Sequence, residues 1–274
     1  ALGTGASLDG AMSLEKQDSS PSGTTDYAKI FTKEVEGSGA GDEVLFHFVD
    51  DVDDTSGNDR DATNTNCTFV DVGGYSPMGT EVLNFPNAGG EFGTAFVAFP
   101  DPEIGTSACT IEFFFSSDSP SVQQTLFNDG YGTWGNLAII LRHDGSNRYL
   151  RFWQSDDDGA TLDIVEYSTG TDWYQSAMKH IALVRAAASG GNSQWRLYYD
   201  GNYLTPASGA GTPLANLPTT DIGGQSFILG KAPNYPAYDY WFNGKISEFR
   251  ITKEEVYTGT STYTVPTSQF EDER

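Results

Sequence analysis

The sequence predicts an all-β fold, a jelly-roll sandwich of two antiparallel sheets with an extended N-terminal arm. Three observations carry that expectation. From Val44 onward, eleven short runs of β-branched and aromatic residues alternate with turn residues, the pattern of many short strands in one sandwich. No stretch holds the 3.6-residue apolar period of a long amphipathic helix. The 17 Phe, 14 Tyr and 5 Trp among 274 residues supply a core of residues that suit a pleated, half-buried surface. A length of 274 residues also suits one large β domain plus an arm, since sandwiches run to about 200–250 residues as a unit.

Taken in order, residues 1–41 read as arm and linker, and 42–274 as the jelly roll. The arm is rich in Gly, Ser, Ala and Thr, with one small apolar cluster in "DYAKIFTKEV" that is too small to bury a core alone. "EGSGAGDE" reads as a linker, because Gly and Ser at that density cost too much backbone entropy to sit in an element. The strand runs are then "VLFHFV", "TEVLNF", "AFVAF", "CTIEFFF", "LAIIL", "RYLRFW", "LDIVEY", "HIALVR", "QWRLYY", "SFILG" and "KISEFRIT". Asp200-Gly201 and Asp144-Gly145 can supply the positive φ angles of tight hairpin turns. Leu137, Ile139 and Leu141 fall on one face of their strand and Ala138 and Ile140 on the other, which predicts a central strand apolar on both sides. In the last strand, Ile246 to Phe249 is a step of three and Phe249 to Ile251 a step of two. The inward set therefore changes phase, and a bulge is expected near Ser247 or Glu248.

The closing stretch, "WFNGKISEFRITKEEVYTGTSTYTVPTSQF", resembles the final strand and tail of the laminin-G-like, concanavalin A-like lectin/glucanase superfamily. The matching positions are Phe242, Gly244, Ile246, Arg250, Ile251, Thr252, Lys253, Tyr257, Thr264, Pro266, Thr267 and Phe270. Other motifs agree in order: "LFHFVDDVDDTSGN" resembles the opening strand and Asp-x-Ser-Gly turn, "CTIEFFF" an inner strand, "DWYQSAMKHIALVR" and "RLYYDGNYL" the later strand and hairpin. The resemblance implies a concanavalin A-like sandwich over about Val44 to Phe270, of a kind found in phage tail, fibre and capsid decoration proteins. The arm segment "SSPSGTTDYAKIFTKEVEGSG" is similar to segments preceding distal domains in phage structural proteins. Two departures stand beside it. The paired acids that glucanases of the superfamily carry on one strand are missing around Glu112 and Asp163 to Glu166, and Asn136 takes the place of a calcium-binding Asp at the sandwich rim.

The 15 Lys and Arg against 38 Asp and Glu give a formal net charge of −23, which repels a phosphate backbone and excludes nucleic acid as the expected partner. No apolar run is long enough to span a bilayer, and the first twenty residues lack the basic start and apolar region of a signal peptide. Cys67 and Cys109, the two cysteines, either form one bridge or are two buried thiols.

No nucleophile elbow, Walker or dinucleotide glycine pattern occurs. His47, His143 and His180 lie far apart in predicted strands, where packing is their expected role, and no enzyme activity is expected. Calcium is the expected metal if one is held, because hard cations take loop carboxylates. The candidates are Asp54, Asn58 and Asp59 in "DDVDDTSGNDRD", and the competing reading is a solvated acidic loop. Sugar recognition needs aromatic faces and planar polar groups. "NDGYGTWGN" offers Tyr131, Trp134 and Asn136, and "KAPNYPAYDYW" offers Tyr235, Tyr238 and Tyr240, all in predicted connections. The same aromatics also suit a subunit interface. The expected protein is thus a non-enzymatic virion component, extracellular on its particle and joined to other virion proteins through residues 1–41 as a homo-oligomer. Host-surface or glycan adhesion is the first expected role, and decoration or cementing of a capsid or tail the alternative, with a glycan hydrolase third.

Overall fold

The structure, a computed structural model, describes residues 42–72, 81–87, 93–119, 123–130, 137–144, 147–155, 163–169, 173–174, 177–189, 192–207, 217–218, 222, 224, 226–232 and 240–271; the predicted arm lies outside them. The described residues form strands and no helix. In chain order these are β1 (Asp42–Phe46), β2 (Thr63–Thr65), β3 (Thr68–Asp71), β4 (Glu81–Phe85), β5 (Phe96–Phe99), β6 (Cys109–Ser117), β7 (Gln124–Asn128), β8 (Leu137–Asp144), β9 (Asn147–Gln154), β10 (Asp163–Ser168), β11 (Lys179–Ser189), β12 (Asn192–Tyr199), β13 (Asn202–Tyr203), β14 (Leu217–Pro218), β15 (Phe227–Leu229) and β16 (Gly244–Thr252). One sheet runs β13-β12-β11-β6-β16-β4-β3, with β1 also on β16 and β14 on β12; the other runs β10-β9-β8-β7-β15-β5-β2. Every pairing is antiparallel. The sandwich and all eleven predicted strands are present. The expected Asp200-Gly201 hairpin accounts for β13, and the sequence reading passed over β2, β3, β7 and β14, which are short, polar, or in the case of β7 buried on both faces without alternation.

Between the sheets lies an aromatic core centred on Phe249, whose ring meets those of Phe46, Phe99, Phe113 and Phe127 at centroid distances of 6.2, 5.4, 5.7 and 5.9 Å, within the range of favourable ring pairs. Phe249 reaches that place through the expected bulge. The register of β16 against β6 slips between Ser247 and Arg250, and Glu248 takes φ 51°. One extra residue is absorbed there, so Phe249 and Ile251 point inward with Ile246 instead of outward. The central-strand reading of β8 also holds: Leu137, Ile139 and Leu141 join the inter-sheet core, and Ala138 and Ile140 a second cluster on the other face.

The Asp200-Gly201 hairpin joins β12 to β13 with φ 50° and 77°, the paired positive angles of a type I′ turn. Glycine is required at 201 twice over, since a Cβ would lie 2.6 Å from the Tyr263 carbonyl oxygen. Of the other proposed turn, Gly145 lies outside the described residues. Cys67 and Cys109 are free and buried, and burial pushes their thiols up to about 12 and about 11, so both remain protonated and inert at neutral pH.

The outer face of the larger sheet is closed by the chain's own C-terminal segment, 253–271. Its anchor is Glu112 on β6, fully buried. Glu112 Oε1 accepts from Arg250 Nε and Nη2 at 3.1 and 2.6 Å, and Oε2 from the Tyr257 hydroxyl at 2.7 Å. His180 Nε2 stands 3.1 Å from Oε2, an ion-pair distance without hydrogen-bond alignment, while His180 Nδ1 meets the Tyr263 hydroxyl at 2.6 Å. Tyr257 and Tyr263 stack at 3.8 Å over Tyr198. At the bulge, buried Glu248 accepts from the Phe270 amide at 3.1 Å and pairs with His47 at 2.8 Å. The Phe270 ring covers the Arg250 guanidinium at 4.1 Å. The family-like tail residues Arg250, Tyr257 and Phe270 are thus parts of one latch.

Burial alone would raise the Glu112 pKa; His180, Arg250 and Tyr257 overcome it and lower the value from 4.5 to about 2. Because the folded value is lowered, the stabilisation is complete above about pH 4.5 and lost as pH falls towards 2. Melting temperature should therefore drop across that window, and a Glu112→Gln variant should show a smaller drop; equal acid sensitivity in both proteins would remove Glu112 from the account. Arg250→Met leaves the buried carboxylate short of its main cation and should cost about 3–5 kcal/mol in urea unfolding.

Candidate functional site

With one face of the larger sheet latched, the outer face of the smaller sheet is the candidate site. Strand alternation sends Leu150 and Phe152 of β9, and Val165 and Tyr167 of β10, into the core, so Tyr149, Arg151, Trp153, Ile164, Glu166 and Ser168 lie on the opposite face. Register then sets them in rows. Ile164, Trp153, Ala138 and Asn128 stand side by side, next come Glu166, Arg151, Ile140 and Thr125, and then Ser168, Tyr149 and Arg142.

The middle of this face is polar and held rigidly. Arg151 donates to Glu166 Oε1 from Nε at 2.9 Å and Nη2 at 2.5 Å, and to Gln123 Oε1 from Nη1 at 3.2 Å. Arg142 Nη1 donates to both Glu166 oxygens at 2.9 Å, and its guanidinium lies 5.7 Å from the centre of the Tyr149 ring. Beside it is an apolar floor of Ala138, Ile140 and Trp153, with half-buried Tyr240 packed on top. Trp153 is only 7% exposed, so Trp153 supports and Tyr240 presents. The Tyr240 carbonyl accepts from the Thr125 amide at 3.1 Å, which stitches its backbone to β7. Ile164, 38% exposed, ends the first row at the sheet edge. Planar donors and acceptors next to an aromatic ring are the groups with which a protein holds a ring-shaped polar ligand.

Of the residues predicted from sequence, Tyr240 is brought to this face. Tyr131, Trp134, Asn136, Tyr235 and Tyr238 lie outside the described residues. Asp54, Asn58 and Asp59 lie after β1, away from the rows above. Asp54 Oδ1 accepts from the Leu45 and Ser56 amides at 2.9 and 3.0 Å, and Oδ2 from the Ser56 hydroxyl and the Arg60 amide, both at 2.9 Å. The Asn58 side-chain amide donates to Glu43 O and Ser56 Oγ at 3.4 and 3.3 Å, and Asp59 takes φ 53°. These three do not fit a calcium ion as placed, since the oxygens of Asp54 are already filled by donors. No group of three or more His, Cys, Asp or Glu is arranged to hold a metal among the described residues. The Asp-x-Ser-Gly turn works instead as a latch from loop to β1. The nearby Asp53 has its pKa raised, first by Asp51 and then by burial and Asp61.

The sequence reading missed Arg142, Arg151, Trp153, Glu166 and Gln123. The available signal was the two-residue period of "NRYLRFWQ", which places Tyr149, Arg151 and Trp153 on the face opposite Leu150 and Phe152.

A family model described as the concanavalin A-like lectin/glucanases superfamily matches residues 90–257. The chain belongs to that superfamily. The matched span runs from before β5 to Tyr257 and includes every residue of the rows above. Among solved structures, this superfamily domain is similar to domain 4 of AbnA, a GH43 extracellular arabinanase from Geobacillus stearothermophilus, in complex with arabinotriose (18% identity, TM-score 0.52, 80% of this chain and 96% of that one). It is also similar to a botulinum neurotoxin type C structure whose cell entry is described as dependent upon interaction with two ganglioside molecules (12% identity, TM-score 0.55, 80% of this chain and 49% of that one). A third is the botulinum neurotoxin serotype D/C VPI 5993 binding domain (10% identity, TM-score 0.52, 79% and 50%). The chain spans about half the length of the two toxin chains. At these identities the likeness is one of fold. A search of curated protein sequences found no match.

The latch reading of the acidic turn makes two measurable statements. Asp54→Ala leaves several donors without a partner and should cost about 2 kcal/mol or more in unfolding free energy. The melting temperature should be the same in millimolar calcium and in chelator, and a rise with calcium would show that the turn rearranges to hold the ion.

Proposed function

We propose that this chain is a non-catalytic, lectin-like module that binds a glycan on the outer face of its smaller sheet. The observation that carries the reading is Tyr240, packed against the Ala138, Ile140 and Trp153 cluster beside the fixed Arg142–Glu166–Arg151–Gln123 network. A sugar ring offers an apolar C–H face to the aromatic and hydroxyls to the planar groups, and this face presents both within adjacent rows. Three carboxylates on the sheet faces are engaged within the fold, which supports a non-catalytic role: Glu112 and Glu248 lie under the C-terminal latch, and Glu166 accepts from two arginines. The arabinotriose bound by the arabinanase domain and the gangliosides of the toxin structure support the ligand class. No helix of the described residues is long and apolar enough to cross a membrane.

The place of action we propose is the surface of a virus particle, in adhesion to a host surface, with residues 1–41 joining the domain to other virion proteins. This rests on the resemblance of the tail and arm segments to those of phage structural proteins. Exposed Ile164 at the sheet edge favours a second reading, in which the same face meets a neighbouring subunit and the protein decorates or cements the particle.

A glycan array with wild type and Tyr240→Ala separates the two. Adhesion predicts that the variant keeps its melting temperature and its place on the particle and loses about 1 kcal/mol of sugar binding. The decoration reading predicts loss of particle occupancy with no sugar bound by either protein. Deleting residues 1–41 should release the domain from the particle while leaving sugar affinity intact; retention of the shortened chain would remove the arm from the attachment.

A further inference from the structure

Two arginines on the proposed recognition face share one carboxylate. Glu166 Oε1 accepts from Arg142 Nη1 and from Arg151 Nε and Nη2, and Oε2 accepts from Arg142 Nη1. The other partners described above, the Gln123 amide and the Tyr149 ring, add no carboxylate. The three charged side chains thus carry two positive groups and one negative. Solvent reaches each of them: Arg142, Arg151 and Glu166 are 26%, 16% and 19% exposed.

The surplus is local. The three rows that cross this part of the sheet hold no second acid, and the next one along β8, Asp144, is one row further out. Other described cations pair with acids one to one, as Lys179 does with Asp200, Arg196 with Glu255 and Lys245 with Asp118. Glu43 is also shared, by Arg60 and Lys253, but it lies against the acid-rich turn, whose Ser56 and Asn58 side chains reach the Glu43 carbonyl. In a chain of formal net charge −23, a solvent-reached group with one positive charge in excess is a place to which an anion is drawn. A ligand carboxylate beside Glu166 would bring that group to neutrality.

Geometry decides which arginine meets it. Arg151 commits Nε, Nη1 and Nη2 to Glu166 and Gln123. Arg142 reaches Glu166 through Nη1, lies by the Tyr149 ring and is the most exposed of the three. A guanidinium is a planar fork that fits a planar carboxylate through parallel donors, and one already pinned loses little freedom on binding. Ile140 belongs to the apolar cluster that Tyr240 packs against. It stands two residues from Arg142 on β8, about 7 Å along the strand, so a single sugar unit stacked at Tyr240 can bring an acidic substituent to Arg142.

We propose that the glycan bound on this face carries a carboxylate, and that Arg142, held by Glu166 and Tyr149, is the residue that recognises it. The inference rests on the glycan reading and adds the charge of the ligand to it. Uronic and sialic acids both supply such a group.

The experiment is an array that pairs acidic with neutral members: sialyllactose with lactose, glucuronic acid-terminated with glucose-terminated disaccharides, the methyl ester of each acid, and sulfated forms. Wild type should bind an acid, lose about tenfold or more on its esterification, and bind it less tightly as salt is added. The two acid series tell the sources of the carboxylate apart. Arg142→Gln should bind acid and ester alike while melting like wild type. Arg142→Lys, which keeps the charge and loses the fork, should fall between the two, so a misfolded Arg142→Gln protein does not decide the matter. Neutral sugars, esters or sulfated forms bound by wild type as tightly as the carboxylic acids, or an acid preference unchanged in both Arg142 variants, overturns the inference and leaves the glycan reading standing. No binding of any array member overturns the glycan reading, and the inference with it.

Discussion

A charge buried in a sheet face must be answered by the rest of the chain, and Glu112 is that charge. It sits directly across from Arg250 in register, with Ala182 on its other side, in a face that would otherwise be open to water. A lone carboxylate there would cost several kcal/mol or take up a proton. The segment after β16 meets the need. Tyr257 supplies a hydroxyl to the second oxygen, Tyr263 holds the neighbouring His180, and Phe270 lies over Arg250. The segment is tied along its length as well: Thr110 Oγ donates to the Glu254 carbonyl and accepts from the Val256 amide, Tyr198 donates to Gly259, and the Tyr263 amide donates to Gly201. Nineteen residues without a strand of their own are therefore part of the fold, because the sheet beneath them carries groups that cannot face solvent alone.

The bulge at Glu248 joins this latch to the core. Absorbing one residue is the only way for a strand to point Ile246 and Phe249 the same way. The residue so displaced is a glutamate in the left-handed region, a conformation that costs energy for a residue with a Cβ. Its carboxylate recovers some of that by taking the Phe270 amide and His47. One local irregularity thus sets the phase of the aromatic core on one side and anchors the end of the tail on the other. The larger sheet is thereby covered, which is why the proposed recognition face is on the smaller one.

How much of this could be read from the sequence differs by element. The sandwich, the Asp200-Gly201 hairpin, the two-sided β8 and the bulge all follow from local residue pattern, because strand period and turn chemistry are local properties. β7 escaped because Gln124, Thr125 and Asn128 are polar yet buried, Gln124 satisfied by Ser117 and Asn243 and Asn128 by Lys231 from distant parts of the chain, and period alone does not reveal long-range partners. The site was partly legible. Tyr240 was identified from its place among aromatics in a connection. Arg142, Arg151 and Glu166 were not, because their meaning lies in the register of three strands, and a carboxylate in "LDIVEY" looks like an ordinary solvent-facing residue until the arginines of the next two strands are placed within its reach. Asp54 shows the opposite limit. A run of acids resembles a metal loop, but its oxygens are filled by amides of the same turn and of β1, contacts that sequence spacing does not distinguish from ion ligation.

The smaller sheet shows why an outward face that breaks the usual polar pattern is informative. Outward positions of an antiparallel strand are ordinarily polar, yet Ala138, Ile140, Trp153 and Ile164 occupy them here, and the first three are buried as a small cluster of their own while Ile164 stays exposed. Tyr240 covers part of it, stitched down at Thr125, and the exposed edge at Ile164 remains. A purely structural solution would have closed this face as the C-terminal segment closes the other, with charged groups tied to the covering chain. Instead the charged groups, Arg142, Arg151 and Glu166, are tied to one another and to Gln123 across the sheet itself, which holds them rigid without using the segment above. Polar groups tied to one another across the sheet, beside a partly exposed ring packed on a buried apolar cluster, contrast with charged groups tied to a covering segment, and that contrast between the two faces of one sandwich is the physical ground for the proposed recognition face.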